Sequence, residues 1–313
     1  MAQAAAAHLC YGDHFGLREA PFALTPDTGF YYQTLSSQEA LNVLLVALSH
    51  DEGLVKISGE VGTGKTLLCR KLLAELEADG RVTTAYLPNP LLSPVQLYAS
   101  VASELGLPAS DGQAAGLVEA LQQHLIALRA AGQRVVVCVD EAQSMPDASL
   151  EALRLLSNVE TEKRKLLQIV LFAQPELDER LAGKALRQLR QRIGFSYVLQ
   201  PMDYPTFCGY VRHRLHLAGQ RGAALFRPAA LRLLFRASGG VPRLVNILAH
   251  KSLLASYGAG LTQVGRRQAL AAIVDTEGVR RPLPLWQCLV LCLAVVLLCG
   301  LCFWAGQRLR GAL

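Results

Sequence analysis

Residues 54–66, LVKISGEVGTGKT, limit what this chain can become more than any other stretch. A short strand-forming run enters a glycine-rich turn, and a helical pattern continues to about Ala78. The turn Gly59-Glu60-Val61-Gly62-Thr63-Gly64-Lys65-Thr66 fits G-x-x-x-x-G-K-[ST]. Its glycines let backbone N–H groups turn inward around a phosphate. Lys65 is placed to reach β- and γ-phosphate oxygens, and Thr66 to ligate Mg²⁺. A chance glycine-rich turn would lack the strand before it and the helix after it, and both are present. Leu67, the next residue, is counted with the binding set.

A second motif agrees with the first. Val135-Val136-Val137-Cys138-Val139-Asp140-Glu141 is an apolar strand ending in two carboxylates, at the end of the strand where open α/β sheets bind ligands. Asp140 is expected in the Mg²⁺ shell and Glu141 as the general base that polarises the attacking water. Gln174 follows the apolar run 167–173, so it can orient that water or simply end the strand before Pro175. Arg187, Arg190 and Arg192 lie in ALRQLRQRI. They read as a solvated helix face, or as an arginine finger for a neighbouring subunit. Arg243, in GGVPR, opens a helix whose Pro242 fixes the backbone. It can point at the γ-phosphate, or be a surface residue after a glycine cap.

Around these motifs β-rich runs at 54–58, 82–87, 135–139, 167–173 and 195–199 alternate with helical patterns. Ser93 is expected to cap one helix with Pro94 at its first position; others cover 112–131, 147–160 and 175–193. This predicts an α/β fold, a parallel sheet sandwiched by helices. After Pro201 the strands stop, and helical patterns near 203–218, 228–237, 243–257 and 263–275 form a small lid domain. The expected organisation is an N-terminal linker segment (1–35), an α/β core (36–201), a lid (202–275), a linker (276–284), an apolar span (285–305) and a tail (306–313).

The span, LWQCLVLCLAVVLLCGLCFWA, is 21 residues without a charge. As a helix it covers about 30 Å, the thickness of a bilayer core, with Trp286 and Trp304 near its ends as interfacial anchors. It is read as a C-terminal transmembrane helix whose four cysteines share one packing stripe. Arg266, Arg267, Arg280 and Arg281 before it, against Arg308 and Arg310 after it, orient the preceding domains to the cytoplasm. The other four of the 8 cysteines are scattered singly, which fits a reducing compartment. The start, MAQAAAAHLC, lacks the basic and apolar regions of a signal peptide. With 51% hydrophobic and 18% charged residues, a largely disordered chain is excluded. A net charge of +6 is too mild to announce a nucleic-acid binder.

Taken together, the loop, acidic pair, strand-end glutamine, arginines and helical lid resemble an AAA+ ATPase. More narrowly, FGLREAPFALTPDTGFYY, GEVGTGKTLLCR, VDEAQ, AQPEL and GGVPRLVN, over residues 11 to about 275, resemble the ExeA-type ATPases of type II secretion. Relatives of that group serve MSHA-type pilus biogenesis and exosortase-associated polysaccharide export. The resemblance implies ATP and Mg²⁺ as cofactors, a ring of identical subunits with a hexamer expected, and inner-membrane secretion or pilus assembly proteins as partners. It implies that Arg243 is the sensor-2 arginine, Gln174 the sensor-1 residue and Arg192 the finger, with Arg190 and then Arg187 in reserve. It also places residues 21–24 along the adenine pocket. ExeA-type proteins carry a peptidoglycan-binding domain beyond the membrane. Only a short tail follows the span here, which shifts the expectation towards a pilus-type relative or one that borrows that domain from a partner. Two other readings remain: a nucleotide-gated scaffold in polysaccharide export, and an AAA+ regulator of DNA transposition, against which the charge and the span argue.

Overall fold

The structure is a computed structural model that describes residues 10–25, 27–107, 114–159, 165–280 and 300. Its centre is a five-stranded sheet built from β1 (Leu54–Ser58), β2 (Val82–Leu87), β3 (Arg134–Val139), β4 (Gln168–Ala173) and β5 (Phe195–Val198). The spatial order is β2-β3-β4-β1-β5 and every pairing is parallel. All five strands stand within one residue of their expected places. β1, β3 and β4 are central and covered on both faces, which is why they read as mainly apolar runs rather than alternating ones, with Lys56 the one charge inside β1.

The period-2 geometry of a strand sends alternate side chains to two cores. Val135, Val137 and Val139 face α4 (Pro94–Glu104), α5 (Ala114–Ala130) and α6 (Asp147–Leu156). Val136 and Cys138 face α2 (Leu35–Ser49) and α3 (Lys65–Ala78) on the other side. Ser93 caps α4 in a reciprocal capping box with Gln96, with Pro94 in the first turn. α2 went unread in the sequence, although Thr34 and Ser37 form the same kind of box and Ala40, Leu41, Leu44, Ala47 and Leu48 recur at helical spacing.

The single helix expected over 175–193 is instead two, α7 (Glu176–Ala182) and α8 (Arg187–Arg192). Leu177, Leu181, Leu186 and Leu189 are all buried in the same core. The step of five between Leu181 and Leu186 breaks the 3.6-residue period, and Gly183 absorbs the break with extended backbone.

The lid comprises α9 (Tyr204–Leu217), α10 (Pro228–Ser238), α11 (Pro242–Gly258) and α12 (Arg266–Val274). Its core also holds Tyr11, Phe15, Leu17, Phe22 and Phe30, with α1 (Gly12–Phe15) among them. The N-terminal segment, expected as a linker that contributes to the nucleotide pocket, is also part of the lid's packing. Each large side chain it buries contributes about 2 kcal/mol of transfer free energy. At the other end, residues 275–280 fold back on the lid: Lys251 pairs with Asp275, and Arg280 N donates to Ala237 O at 2.9 Å. The expected span 285–305 lies outside the described residues except for Gly300. Among the described residues, no helix is long and apolar enough to cross a membrane.

Candidate active site

The phosphate loop joins the C-terminal end of β1 to the first turn of α3. Gly62 and Gly64 take positive φ, 82° and 102°, which aims successive N–H groups into one concavity. Gly59, Glu60 and Thr63 build the turn: Gly59 N donates to Ala173 O at 3.2 Å, and Thr63 Oγ1 to Glu60 O at 2.8 Å. Val61, Gly62, Gly64, Lys65, Thr66 and Leu67 line a cavity of about 360 Å³. The Lys65 ammonium is buried and donates to Gly59 O at 2.7 Å and Glu60 O at 3.0 Å. Burial lowers its pKa, against the opposing pull of Glu141, Asp140, Glu60 and Glu176. A cation so placed gains from an anion brought into the cavity.

β3 delivers the two carboxylates to the same place. Asp140 is 3% exposed, and burial raises its pKa. The Thr66 hydroxyl hydrogen-bonds to it and Glu141 N donates to its Oδ1 at 3.0 Å, and both lower the pKa. Tyr86, whose hydroxyl lies 3.5 Å from Asp140 Oδ2, is itself pushed up to about 12 by burial and that charge. Thr66 and Asp140 thus meet as hard oxygen donors, the Asp140 carboxylate itself disfavoured by desolvation, a donor set that suits Mg²⁺.

Glu141 lines the cavity with its backbone in the left-handed region, φ 53°. Its Oε2 accepts from Gln174 Nε2 at 2.8 Å and from Gln143 Nε2 at 2.5 Å. Gln174, at the end of β4, therefore reaches Glu141 from the adjacent strand. Gln143 was not singled out among the site residues, although it stands in VDEAQ. Arg180 of α7 was missed entirely: it donates to Gln143 O at 2.7 Å and Met145 O at 2.8 Å.

The lid closes the opposite wall. Arg243, in the first turn of α11, lines the cavity, and its N–H donates to Gly62 O at 3.2 Å. A Cβ on Gly62 would overlap Arg243 Cβ, so only glycine lets the helix seat on the loop. The N-terminal strap supplies Ala23, Leu24, Thr25 and Asp27 to the same cavity. Phe22 instead turns away into the lid core against Phe226, and Pro21 is not in the wall, which corrects the expected 21–24 lining. Arg214 of α9, also unforeseen, is 7% exposed and holds the strap: its Nε donates to Pro21 O and its Nη1 to Tyr210 Oη at 3.0 Å. Tyr210 donates in turn to Asn246 Oδ1, and Asn246 Nδ2 to Ala23 O. Arg187, Arg190 and Arg192 are exposed on α8 and are not part of the cavity wall.

Residues 48–181 match the family model described as an AAA domain. General secretion pathway protein A of Aeromonas hydrophila is 40% identical over 299 residues, which cover 95% of this chain and 54% of that protein. The chain thus spans about half the length of this curated relative. Among solved structures, the Cdc6p protein of Pyrobaculum aerophilum superposes with a TM-score of 0.64 at 16% identity, covering 80% of this chain and 69% of that one. The ORC2 protein of Aeropyrum pernix, solved as ADPNP–ADP complexes, gives 0.59 at 18%, covering 81% and 72%. At such identities these two structures establish a shared fold.

Proposed function

We propose that this chain is an AAA+ protein of the ExeA type that binds MgATP and hydrolyses it to help a secretion or MSHA-like pilus machine assemble, a reading supported by its AAA-domain match and by its 40% identity to a general secretion pathway protein. The observation that supports this reading is one cavity lined by Lys65, Thr66, Glu141 and Arg243, with Asp140 hydrogen-bonded to Thr66 and Gln174 to Glu141. Loop N–H groups, Lys65 and Arg243 bind and neutralise the triphosphate. Thr66 and Asp140 would hold Mg²⁺, which would supply charge neutralisation to the bound phosphates. Glu141, steadied by Gln174, takes the proton of the attacking water as its oxygen bonds to the γ-phosphorus, and ADP leaves.

The exposed Arg192, with Arg190 or Arg187 in reserve, completes the site of a neighbouring copy in a ring, expected as a hexamer. Residues 285–305 anchor the chain in the inner membrane with the ATPase domain in the cytoplasm. The test is turnover by the full chain. Lys65→Ala should lose nucleotide affinity and activity, and mixing it with Arg192→Ala subunits should restore part of the activity. An inactive full chain would refute hydrolysis, and a mixture no better than either variant would refute the shared site. A reporter enzyme fused after Leu313 should be active only in its periplasmic form.

A further inference from the structure

We infer that Gln143 is a positioning residue for hydrolysis, fixing where the Glu141 carboxylate presents its second oxygen. The inference rests on the reading of Glu141 as the base and extends it to a side chain that touches no substrate. The Gln143 amide works in two directions at once. Its Nε2 donates to Glu141 Oε2 at 2.5 Å, and its Oε1 accepts from the backbone N–H of Gln174 at 2.9 Å. The amide can face only one way, because a backbone N–H requires the oxygen and a carboxylate requires the NH₂. Gln143 therefore ties the end of β3 to the end of β4 through the base.

Its own backbone is fixed as well. Arg180 Nη1 donates to Gln143 O at 2.7 Å and Nη2 to Met145 O at 2.8 Å, while the same guanidinium pairs with Asp147. That support matters because Glu141 stands in left-handed backbone, φ 53° and ψ 38°. A non-glycine residue there is strained and is kept only where its surroundings hold it. With Gln143 and Gln174 both bonded to Oε2, Oε1 is the oxygen turned to the water. Loss of one brace lets the carboxylate rotate, and a displacement of about 1 Å in a catalytic group lowers rate about 100-fold.

Two near-isosteric substitutions in the full chain test this. Gln143→Glu can still accept from Gln174 N–H but can no longer donate to Glu141. Gln143→Met keeps the bulk and loses both bonds. Both are expected to lower kcat about 30- to 100-fold while KM for MgATP, and affinity for a fluorescent ATP analogue, stay within about twofold. Equal losses in the two variants identify donation to Glu141 as the contact that matters. A kcat within about twofold of the unsubstituted chain in either variant overturns the inference. So does a fall in kcat matched by an equal fall in nucleotide affinity, because Gln143 would then only shape the pocket. Glu141→Gln, measured alongside, separates the two levels. If it turns over ATP normally, the reading of Glu141 fails; if it is inactive while the Gln143 variants are normal, only this inference fails.

Discussion

The two ends of the cavity are made in different ways. The phosphate end is nearly all local: eight consecutive residues form the loop, and Asp140 and Glu141 are neighbours in the chain. The strap end is assembled from afar, with Arg214 holding Pro21 O across 193 residues and Asn246 holding Ala23 O across 223. At the phosphate end the Lys65 ammonium and the Glu141 carboxylate line the cavity itself, with the Asp140 carboxylate close enough to act on Lys65. At the strap end the polar groups are satisfied by each other and by backbone carbonyls, as buried polar groups must be. The first end is built for chemistry at some cost in desolvation. The second is built for stability, and so holds the pocket wall in place.

Substitutions should divide along that line. Glu141→Gln is expected to have the largest effect, lowering turnover about 10³-fold, equivalent to about 4 kcal/mol in the barrier, with nucleotide binding and Tm nearly unchanged. A large drop in Tm would show that the phosphate end also carries the fold. Arg214→Met should do the reverse. It leaves Pro21 O and the Tyr210 hydroxyl short of a donor, for a loss of about 3 kcal/mol of stability in denaturant unfolding. Limited proteolysis should then cut the N-terminal strap first, while kcat at saturating ATP stays within a few-fold. Gly62→Ala belongs to both ends. Its positive φ and the overlap with Arg243 Cβ should cost about 2 kcal/mol and weaken nucleotide binding about tenfold, and an unaffected affinity would mean that the lid does not seat on the loop.

The smallest effect concerns His250. Tyr11 Oη lies 2.7 Å from its Nδ1, and burial holds the imidazole below its usual 6.5. The unfolded chain therefore takes up a proton at higher pH than the folded one. The stability this contributes is complete above about pH 6.5 and is lost as the pH falls from there towards the lower folded pKa. His250→Gln should flatten the fall of Tm between about pH 7 and 5. An unchanged slope would assign acid sensitivity to other groups.

Legibility in the sequence followed the same division. Strand ends and the acidic pair could be read because buried parallel strands are apolar runs and the motif residues are contiguous. Gln143 could not be assigned a role, since its bond to Glu141 depends on a left-handed backbone that the residue type does not announce. Arg180 and Arg214 looked like surface arginines of helices. Arg214 did carry a signal: it continues the stripe Phe207, Tyr210, Val211, Leu215 on the buried face of α9. Lys56 carried another, as a charge inside the apolar strand LVKIS, where it is buried and paired with Asp178. A charged residue at a core-facing position announces a partner without saying which one.

The seating of Arg243 on Gly62 has a mechanical side. α11 has 17 residues, hence is about 25 Å long, and it is rigid along its length compared with the turn that precedes it. That turn, Gly239 and Gly240 at positive φ, is a fulcrum set three residues before Arg243, which seats on the phosphate loop. A tilt of about 10° there moves the far end of the helix by about 4 Å. That end carries Tyr257, packed against His14. The chain's own exit, through Arg280 N on Ala237 O, is fastened within three residues of the same fulcrum. A load on the chain beyond residue 280 is therefore borne by the joint that sets Arg243, and a shift of Arg243 is magnified at the outer surface of the lid.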